Sequence, residues 1–345
     1  MSHELERFSL AGTELSWPIG SAAGMTNHPD IEVVARRFEN IVALGLGEAV
    51  LGSVKLGPAS GGNAHVQQPD GTWEHLGGDE YADAENGIGH NAKGLPGPGV
   101  NAVIERIDDF VGLARAKNVE ISLSVSPHSQ KPLEEIPELL EAGRKALLAG
   151  VLRVEFNLSC PNIPDRPPFF VDRDAVREFI MMVSDRKHLL LNRFGHPGIY
   201  AKFGPMGQAI DEAQLRGEYS LGMRKGIFGG VVTSNTVPGQ GVILGSGENA
   251  IQVNGGKAGR SGPHFDEIGR DQLEKWLFSQ VVTHKGEVVS VLGVSSGLEV
   301  ARRMLLGADL CQLGSVIYWP ELVGEESAGT VVEKIKREFV NAVSA

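Results

Sequence analysis

Short apolar runs alternate along the chain with longer segments of helical periodicity. Apolar runs of strand length, which predict buried β-strands, cover residues 18–23, 41–54, 119–125, 152–158, 199–203, 230–234, 288–293 and 310–313. The second run is too long for one strand, and turns at its glycines are expected to shorten it. Segments between the runs predict helices over residues 29–38, 100–117, 133–148, 174–186, 208–217, 266–278, 298–306 and 331–343.

This alternation predicts an α/β fold with a parallel sheet covered by helices. Eight strand and helix units without a linker favour a closed (β/α)8 TIM barrel, in one domain spanning 1–345, over a six-stranded doubly wound sheet. Residues 8–17 form two short apolar stretches around Ala11-Gly12, which predict an N-terminal β-hairpin that closes one end of the barrel.

Two long segments interrupt the alternation. Residues 57–99 are dense in Gly, Asn, Asp and His without a helical or strand period, and residues 239–263 are rich in glycine. Both are too long for ordinary connections, so we expect functional loops. In a barrel they follow the second and sixth strands, and therefore insert at the C-terminal face, where such barrels carry their active sites.

Composition and charge exclude several classes of protein. The formal net charge of −11 argues against broad electrostatic capture of nucleic acid or anionic membrane. Two cysteines among 345 residues cannot build a disulfide framework, a four-cysteine zinc site or an iron–sulfur cluster. The chain shows no signal peptide or long apolar span, no metal-ligand motif, and no phosphate-loop, hydrolase or dinucleotide fingerprint. We expect a cytoplasmic protein without a metal centre.

The densest candidate chemistry lies at the end of the fourth predicted strand, in the string NLSCPN of residues 157–162. Cys160 is there flanked by the carboxamides of Asn157 and Asn162, which suits an acid/base group with hydrogen-bonding neighbours. The alternative is a small, half-buried hydrophobic side chain in a turn fixed by proline.

Lysines and small residues follow other predicted strands. Lys55 and Lys202 end the second and fifth strands, and two lysines on one face of the barrel suggest an anionic ligand, although either could extend from the rim into water. The string GVSSG of residues 293–297 precedes a predicted helix, and Gly314-Ser315 ends the last strand. In barrels these last two loops commonly bind phosphate, although GVSSG alone could be a tight turn.

The string NLSCPN resembles the NxSCPN loop of the dihydroorotate dehydrogenases, FMN-containing barrels related to the catalytic part of dihydropyrimidine dehydrogenase. A cysteine in this loop is typical of their soluble class, whereas the membrane-associated class has serine there and an N-terminal helical extension. The resemblance covers residues 8–343 and implies an FMN-dependent oxidoreductase acting on a CH–CH bond next to a carbonyl, with (S)-dihydroorotate as its substrate in pyrimidine biosynthesis. It also implies a homodimer.

The resemblance assigns a role to each matching residue. Cys160 would be the catalytic acid/base, with Lys55 between substrate and flavin. Substrate contacts are expected from Asn91, Lys93, Gly94, Leu95, Asn157, Asn162, Asn235 and Thr236. Flavin contacts are expected from Ala22, Ala23, Gly24, Lys55, Asn157, Lys202, Gly255, Gly256, Gly293, Ser295, Gly314 and Ser315.

Three departures from the family pattern leave the substrate open. Residues 91–97 read NAKGLPG where the family usually has NSMGLPN, so Lys93 replaces a methionine; a solvated loop cation is the alternative. Leu292 replaces a glycine, and the 57–90 insertion is long and polar. A flavin reductase of another heterocyclic intermediate and a catalytically idle barrel subunit therefore remain alternatives. The electron acceptor also stays open among fumarate, oxygen, a quinone and a partner subunit.

Overall fold

The computed structural model describes residues 8–61, 65–70, 72–160, 169–205, 212–280 and 286–344. Its strands are β1 (Phe8–Leu10), β2 (Thr13–Leu15), β3 (Ile19–Ser21), β4 (Glu48–Val54), β5 (His65–Gln67), β6 (Trp73–His75), β7 (Glu80–Asp83), β8 (Ile88–Asn91), β9 (Glu120–Val125), β10 (Arg153–Asn157), β11 (Ile199–Phe203), β12 (Gly230–Thr233), β13 (Val237–Gln240), β14 (Lys257–Ser261), β15 (Glu287–Ser290) and β16 (Leu310–Leu313). Its helices are α1 (Ile31–Ala43), α2 (Val100–Glu105), α3 (Ile107–Ala116), α4 (Pro132–Ala149), α5 (Arg173–Arg186), α6 (Glu212–Arg224), α7 (Asp266–Gln280), α8 (Gly297–Leu306), α9 (Ser315–Tyr318) and α10 (Ala328–Ser344).

Eight of these strands close into a parallel barrel, which confirms the predicted (β/α)8 architecture. The order around the barrel is β3, β4, β9, β10, β11, β12, β15, β16 and back to β3, so every strand pairs with its sequence neighbours in the barrel. Helices lie between successive strands. All loops that follow the strands therefore meet at the C-terminal face.

Several predicted boundaries are wrong. Residues 41–43 belong to α1, because Val34, Phe38, Ile41 and Val42 recur at helical spacing and are all buried on one face. The predicted helix 100–117 is two helices, separated at Arg106. The predicted helix 208–217 is described only from Glu212, and it continues to Arg224; residues 206–211 lie outside the described part of the chain.

The two insertions contain short strands, although neither shows a strand period in the sequence. β13, β14, β8 and β7 form a four-stranded antiparallel sheet in that order, which ties residues from both insertions together. Asn91 pairs with Gly259 across β8 and β14. These strands have four or five residues and carry glycine and charged side chains, so they lack the apolar alternation by which strands are recognised.

The N-terminal hairpin closes the opposite end of the barrel, as predicted. β1 and β2 pair antiparallel, and Leu10 and Leu15 are buried in a cluster with side chains of the barrel interior. The Ala11 N–H donates to both carboxylate oxygens of Glu287, at 2.8 and 2.9 Å. The hairpin thus covers the apolar side chains at the start of the strands.

Charged side chains fill the barrel interior above this base. Arg153 is fully buried, and its guanidinium donates to the two Glu48 carboxylate oxygens at 2.7 and 2.8 Å. Gln312 also donates to Glu48, at 3.1 Å. A buried bidentate pair with further hydrogen bonds offsets the desolvation of both charges.

Asp309, at the base of the barrel, makes the stability depend on pH. Its carboxylate accepts the Val288 N–H at 2.7 Å. Burial raises its pKa from 3.8 to about 7, and the Glu287 charge adds to that shift. The folded state therefore keeps a proton that the unfolded state loses, so stability falls as pH rises from about 4 through 7.

Asp309→Asn should flatten this dependence, because an amide oxygen can still accept the Val288 N–H without becoming charged. Thermal unfolding between pH 5 and 8 should show a variant that loses less stability than wild type, by up to about 3 kcal/mol. Asp108→Asn, at an exposed position on α3, is the control. Parallel pH profiles for wild type and Asp309→Asn would contradict the assignment.

Candidate active site

Two adjoining cavities open at the C-terminal face of the barrel, with volumes of about 740 and 510 Å³. Seven residues line both cavities: Ala23, Gly24, Asn91, Lys93, Lys202, Asn235 and Thr236. The shared lining makes them two compartments of one site.

The larger cavity collects most of the residues predicted to contact a cofactor. Ala22, Ala23 and Gly24 follow β3, Lys202 lies in β11, Gly293 follows β15, and Gly314 and Ser315 follow β16. Ser295 is not among the lining residues. Gly255 and Gly256 lie instead in a separate depression with Glu248, Asn249, Ile251 and Gln252.

The glycine-rich insertion reaches the larger cavity through residues that the sequence analysis missed. Ser261 and Gly262, at the end of β14, line it, and the Ser261 and Ser315 hydroxyl oxygens are 2.5 Å apart. In the string GGKAGRSG of residues 255–262, the predicted cofactor contacts are the first two residues, Gly255 and Gly256. The residues of this string that line the cavity are the last two, Ser261 and Gly262, at the end of β14.

The N-terminus of α8 does not face this cavity with free N–H groups. Ser296 Oγ accepts the Glu299 N–H at 3.2 Å, and a Glu338 carboxylate oxygen accepts the Gly297 N–H at 2.9 Å. The part of the GVSSG loop that lines the cavity is Gly293 and Val294. The N-terminus of α8, predicted from the sequence to bind phosphate, is thus capped by the Ser296 and Glu338 side chains. The loop before it lines the cavity instead.

Gly24 leaves room that any side chain would fill. Its φ is +106°, and a Cβ built there would meet no protein atom within 4 Å. Since Gly24 lines both cavities, that empty space belongs to the site. A backbone segment without a side chain suits close approach to a flat ligand.

Lys202 brings a buried positive charge to the shared lining. Its side chain is 3% exposed, and its Nζ lies 3.3 Å from a carboxylate oxygen of Glu155 in β10. The same Glu155 oxygen accepts a hydrogen bond from Ser124 at 3.1 Å. The carboxylate compensates part of the lysine charge and allows an ammonium to remain buried.

The smaller cavity contains Cys160 and a set of carboxamides. Cys160 is 4% exposed and forms no disulfide. Asn157 Oδ1 accepts the Asn235 amide at 3.1 Å, and the Asn157 amide donates to Ser53 Oγ at 3.1 Å. Ser159 Oγ accepts a second bond from Asn235. These bonds fix the carboxamides beside the thiol.

Lys55 lies next to this compartment, although it is not among the lining residues. Its Nζ donates to the Gly94 carbonyl oxygen at 3.1 Å, and Gly94 and Leu95 line the smaller cavity. Burial lowers the Lys55 pKa, while Cys160 and then Glu135 raise it. The ammonium and the Cys160 side chain are therefore electrostatically coupled.

Asn27 and Ser53 also line the smaller cavity and were missed from the sequence. Asn27 is 5% exposed, and its Oδ1 accepts no hydrogen bond from the residues that the structure describes. Neither residue belongs to a recognisable motif. The only indication in the sequence is their position, since Asn27 follows β3 and Ser53 lies near the end of β4. Asn162, predicted for the same compartment, lies outside the described residues.

Lys93 is buried in the site and is not a solvated loop cation. It is 5% exposed and lines both cavities. Its Nζ lies 2.5 Å from a carboxylate oxygen of Glu80 and donates to the Tyr318 hydroxyl. Glu80 comes from the first insertion and Tyr318 from α9, so neither partner could be inferred from its neighbours in the sequence.

A comparison with protein-family models matches residues 7–340 to the model described as dihydroorotate dehydrogenase. The chain belongs to the dihydroorotate dehydrogenase family. This family consists of oxidoreductases that act on CH–CH bonds.

Individual relatives of the family agree with this match at low sequence identity. The chain is 23% identical to a dihydroorotate dehydrogenase (quinone) of Polynucleobacter asymbioticus, over 92% of this chain and 83% of the relative. It is also 23% identical to a probable dihydroorotate dehydrogenase A (fumarate) of Enterococcus faecalis, over 74% of this chain and 73% of the relative. The relatives of this chain therefore include proteins named for a quinone and proteins named for fumarate as electron acceptor.

Among solved structures, the chain resembles DHODH of Eimeria tenella in complex with ferulenol. The TM-score is 0.67 at 17% identity, covering 99% of this chain and 86% of the other. This likeness supports the fold. Every helix in the part of the chain that the structure describes is too short or too polar to span a membrane.

Proposed function

We propose that the larger cavity binds FMN. Gly24 with its open space would lie against the flavin ring, and Lys202 would face the end of the ring that becomes negative on reduction. The hydroxyls of Ser261 and Ser315, with the glycines 262, 293 and 314, form a small-residue pocket that suits a phosphate. The buried ammonium of Lys202 and a largely apolar pocket poor in side chains fit the chemistry of this cofactor.

We propose that the smaller cavity binds (S)-dihydroorotate and that Cys160 is the acid/base. The observation that carries this proposal is the position of Cys160 in the compartment that shares its lining with the larger cavity. A flavin held in the larger cavity by Gly24, Lys202 and Ser315 would supply the hydride acceptor for one ring carbon of the substrate. Cys160, as thiolate, takes the proton from the adjacent carbon, and the electron pair left behind forms the C=C bond of orotate.

The surroundings of Cys160 support this chemistry. The Lys55 ammonium is electrostatically coupled to Cys160, and its bond to the Gly94 carbonyl holds the loop that lines the compartment. The Asn157 and Asn235 side chains fix each other, and Asn27 Oδ1 offers an acceptor for a ring N–H of the substrate. Burial of Cys160 excludes water from the proton transfer.

The proposal predicts that the purified protein is yellow, releases one FMN per chain on denaturation, and converts dihydroorotate into orotate. Product formation should be measured with fumarate, a quinone and oxygen as separate acceptors, because relatives are named for the first two. A colourless preparation that cannot be loaded with FMN would instead support an idle barrel. A yellow protein that forms no orotate with any acceptor would remove the substrate and retain the cofactor.

Lys93 favours a second candidate, a flavin-dependent dehydrogenase or reductase of another ring compound. A buried, ion-paired lysine in the lining of both cavities adds a donor that the usual family pattern does not have. A panel of unsaturated lactams and heterocycles should then re-oxidise the reduced enzyme faster than orotate does. Faster oxidation by orotate than by every member of the panel would exclude this candidate.

A further inference from the structure

The side chains of Lys93, Glu80 and Tyr318, here called the insertion triad, form a closed set of contacts at the junction of the two cavities. The Lys93 ammonium contacts a Glu80 carboxylate oxygen and donates to the Tyr318 hydroxyl, and that hydroxyl donates to the other Glu80 oxygen at 3.1 Å. Lys93 and Tyr318 line the larger cavity, and Lys93 also lines the smaller one.

The triad is held rigidly from three sides. Glu80 stands opposite Asn91 in the pairing of β7 with β8, and the Lys93 N–H donates to Asn91 Oδ1 at 3.0 Å. Tyr318 ends α9, directly after the last barrel strand. The ammonium therefore occupies a fixed position, which is what a recognition group requires.

The buried ion pair of Lys93 and Glu80 is not explained by a gain in folding stability. A methionine-sized apolar side chain would avoid the desolvation cost, since buried pairs are often no better than well-packed hydrophobic residues. An ammonium has three N–H donors, and the contacts to Glu80 and Tyr318 take two of them. Because Lys93 is 5% exposed and lines the site, the third donor is available to a ligand in the cavity rather than to bulk water.

We propose that Lys93, positioned by Glu80 and Tyr318, is a specificity-determining residue that donates a hydrogen bond to a carboxylate or carbonyl oxygen of the bound ring substrate. This inference rests on the proposed function of the smaller cavity as the substrate compartment. The carboxylate of Glu80 balances the lysine charge, so the triad recognises an acceptor oxygen without adding a net charge to the site. Replacing the Glu80 carboxylate by an amide, which keeps an acceptor oxygen but removes the balancing charge, should therefore strengthen the interaction, whereas removing Lys93 should abolish it.

The test is ligand binding to the oxidised, FMN-loaded protein, followed by the change in flavin absorbance on titration with orotate, uracil and benzoate. Lys93→Met should weaken binding by about tenfold to a hundredfold, the value of a hydrogen bond to a charged group. Glu80→Gln should tighten it severalfold. Lys257→Met, an exposed lysine on β14 of the same sheet, should leave it unchanged.

The pattern across ligands identifies the oxygen. An effect on orotate and benzoate alone assigns a carboxylate, and an equal effect on uracil assigns a carbonyl. The opposite signs of the two variants separate recognition from a structural role, which would weaken binding and lower the Tm in both. Unchanged affinities, or weakening in both variants, would overturn the inference, as would a wild-type protein that binds none of the three. If orotate alone fails to bind while benzoate responds as expected, the proposed substrate fails and the role of Lys93 stands.

Discussion

Cys160→Ala should slow the reduction of bound FMN by dihydroorotate by about 10²- to 10⁴-fold, the range of a lost general base. Hydride transfer and removal of the adjacent proton are coupled, so without the thiolate the C–H bond has no acceptor in the buried compartment. The flavin should stay bound, because Cys160 lines the smaller cavity and not the larger one. Anaerobic stopped-flow absorbance of the flavin band measures the rate.

Cys311 provides a matched control for this substitution. It is the other cysteine of the chain, and it lies fully buried in β16, where burial raises its thiol pKa to about 12. Cys311→Ala makes the same change in side-chain size as Cys160→Ala. The thiol that it removes does not ionise near neutral pH. We expect wild-type reduction rates from it. Equal rates in Cys160→Ala and Cys311→Ala would eliminate the acid/base role of Cys160.

Gly24→Leu should release the cofactor. A Cβ at this position meets no protein atom, so the added side chain extends into the space that the proposal gives to the flavin ring. Overlap of this kind costs about 1–3 kcal/mol even where the structure relaxes. FMN affinity should fall by about tenfold to a hundredfold, measured by titrating apoprotein with FMN and following the quenching of its fluorescence.

Backbone strain must be separated from this effect, since leucine is unfavourable at a φ of +106°. Gly226→Leu is the control, because Gly226 has a φ of +64°, has open space for a Cβ, and does not line either cavity. Both variants should lose some thermal stability, and only Gly24→Leu should lose FMN. Wild-type FMN affinity in Gly24→Leu would show that the flavin does not lie against this segment.

The barrel could be predicted because its strands are buried on both faces, and such strands appear as continuous apolar runs. The residues of the Cys160 loop could be predicted as site residues for a related reason. Loops directly after barrel strands converge at one face of the barrel, whatever their sequence or length. Lys202, Gly314 and Ser315 were found in this way, whereas Ala22 to Gly24 were predicted from the family resemblance. All of them line the larger cavity.

The strands within the two insertions could not be predicted, because their pairing is set by contacts between residues distant in sequence. β14 pairs with β8 across more than 160 positions, and neither strand has an apolar face of its own. Ser261, Glu80 and Tyr318 reach the site only through that sheet and α9. The motif predicted a substrate contact at Lys93, and this residue lines both cavities, but its burial depends on partners that no local pattern reveals.

We propose that dihydroorotate in the Cys160 compartment reduces a flavin in the adjoining cavity. This can be measured by mixing the FMN-loaded protein with dihydroorotate in the absence of oxygen and any other acceptor. We expect bleaching of the flavin absorbance, with formation of one orotate per flavin. Unchanged flavin absorbance at saturating dihydroorotate would contradict this proposal.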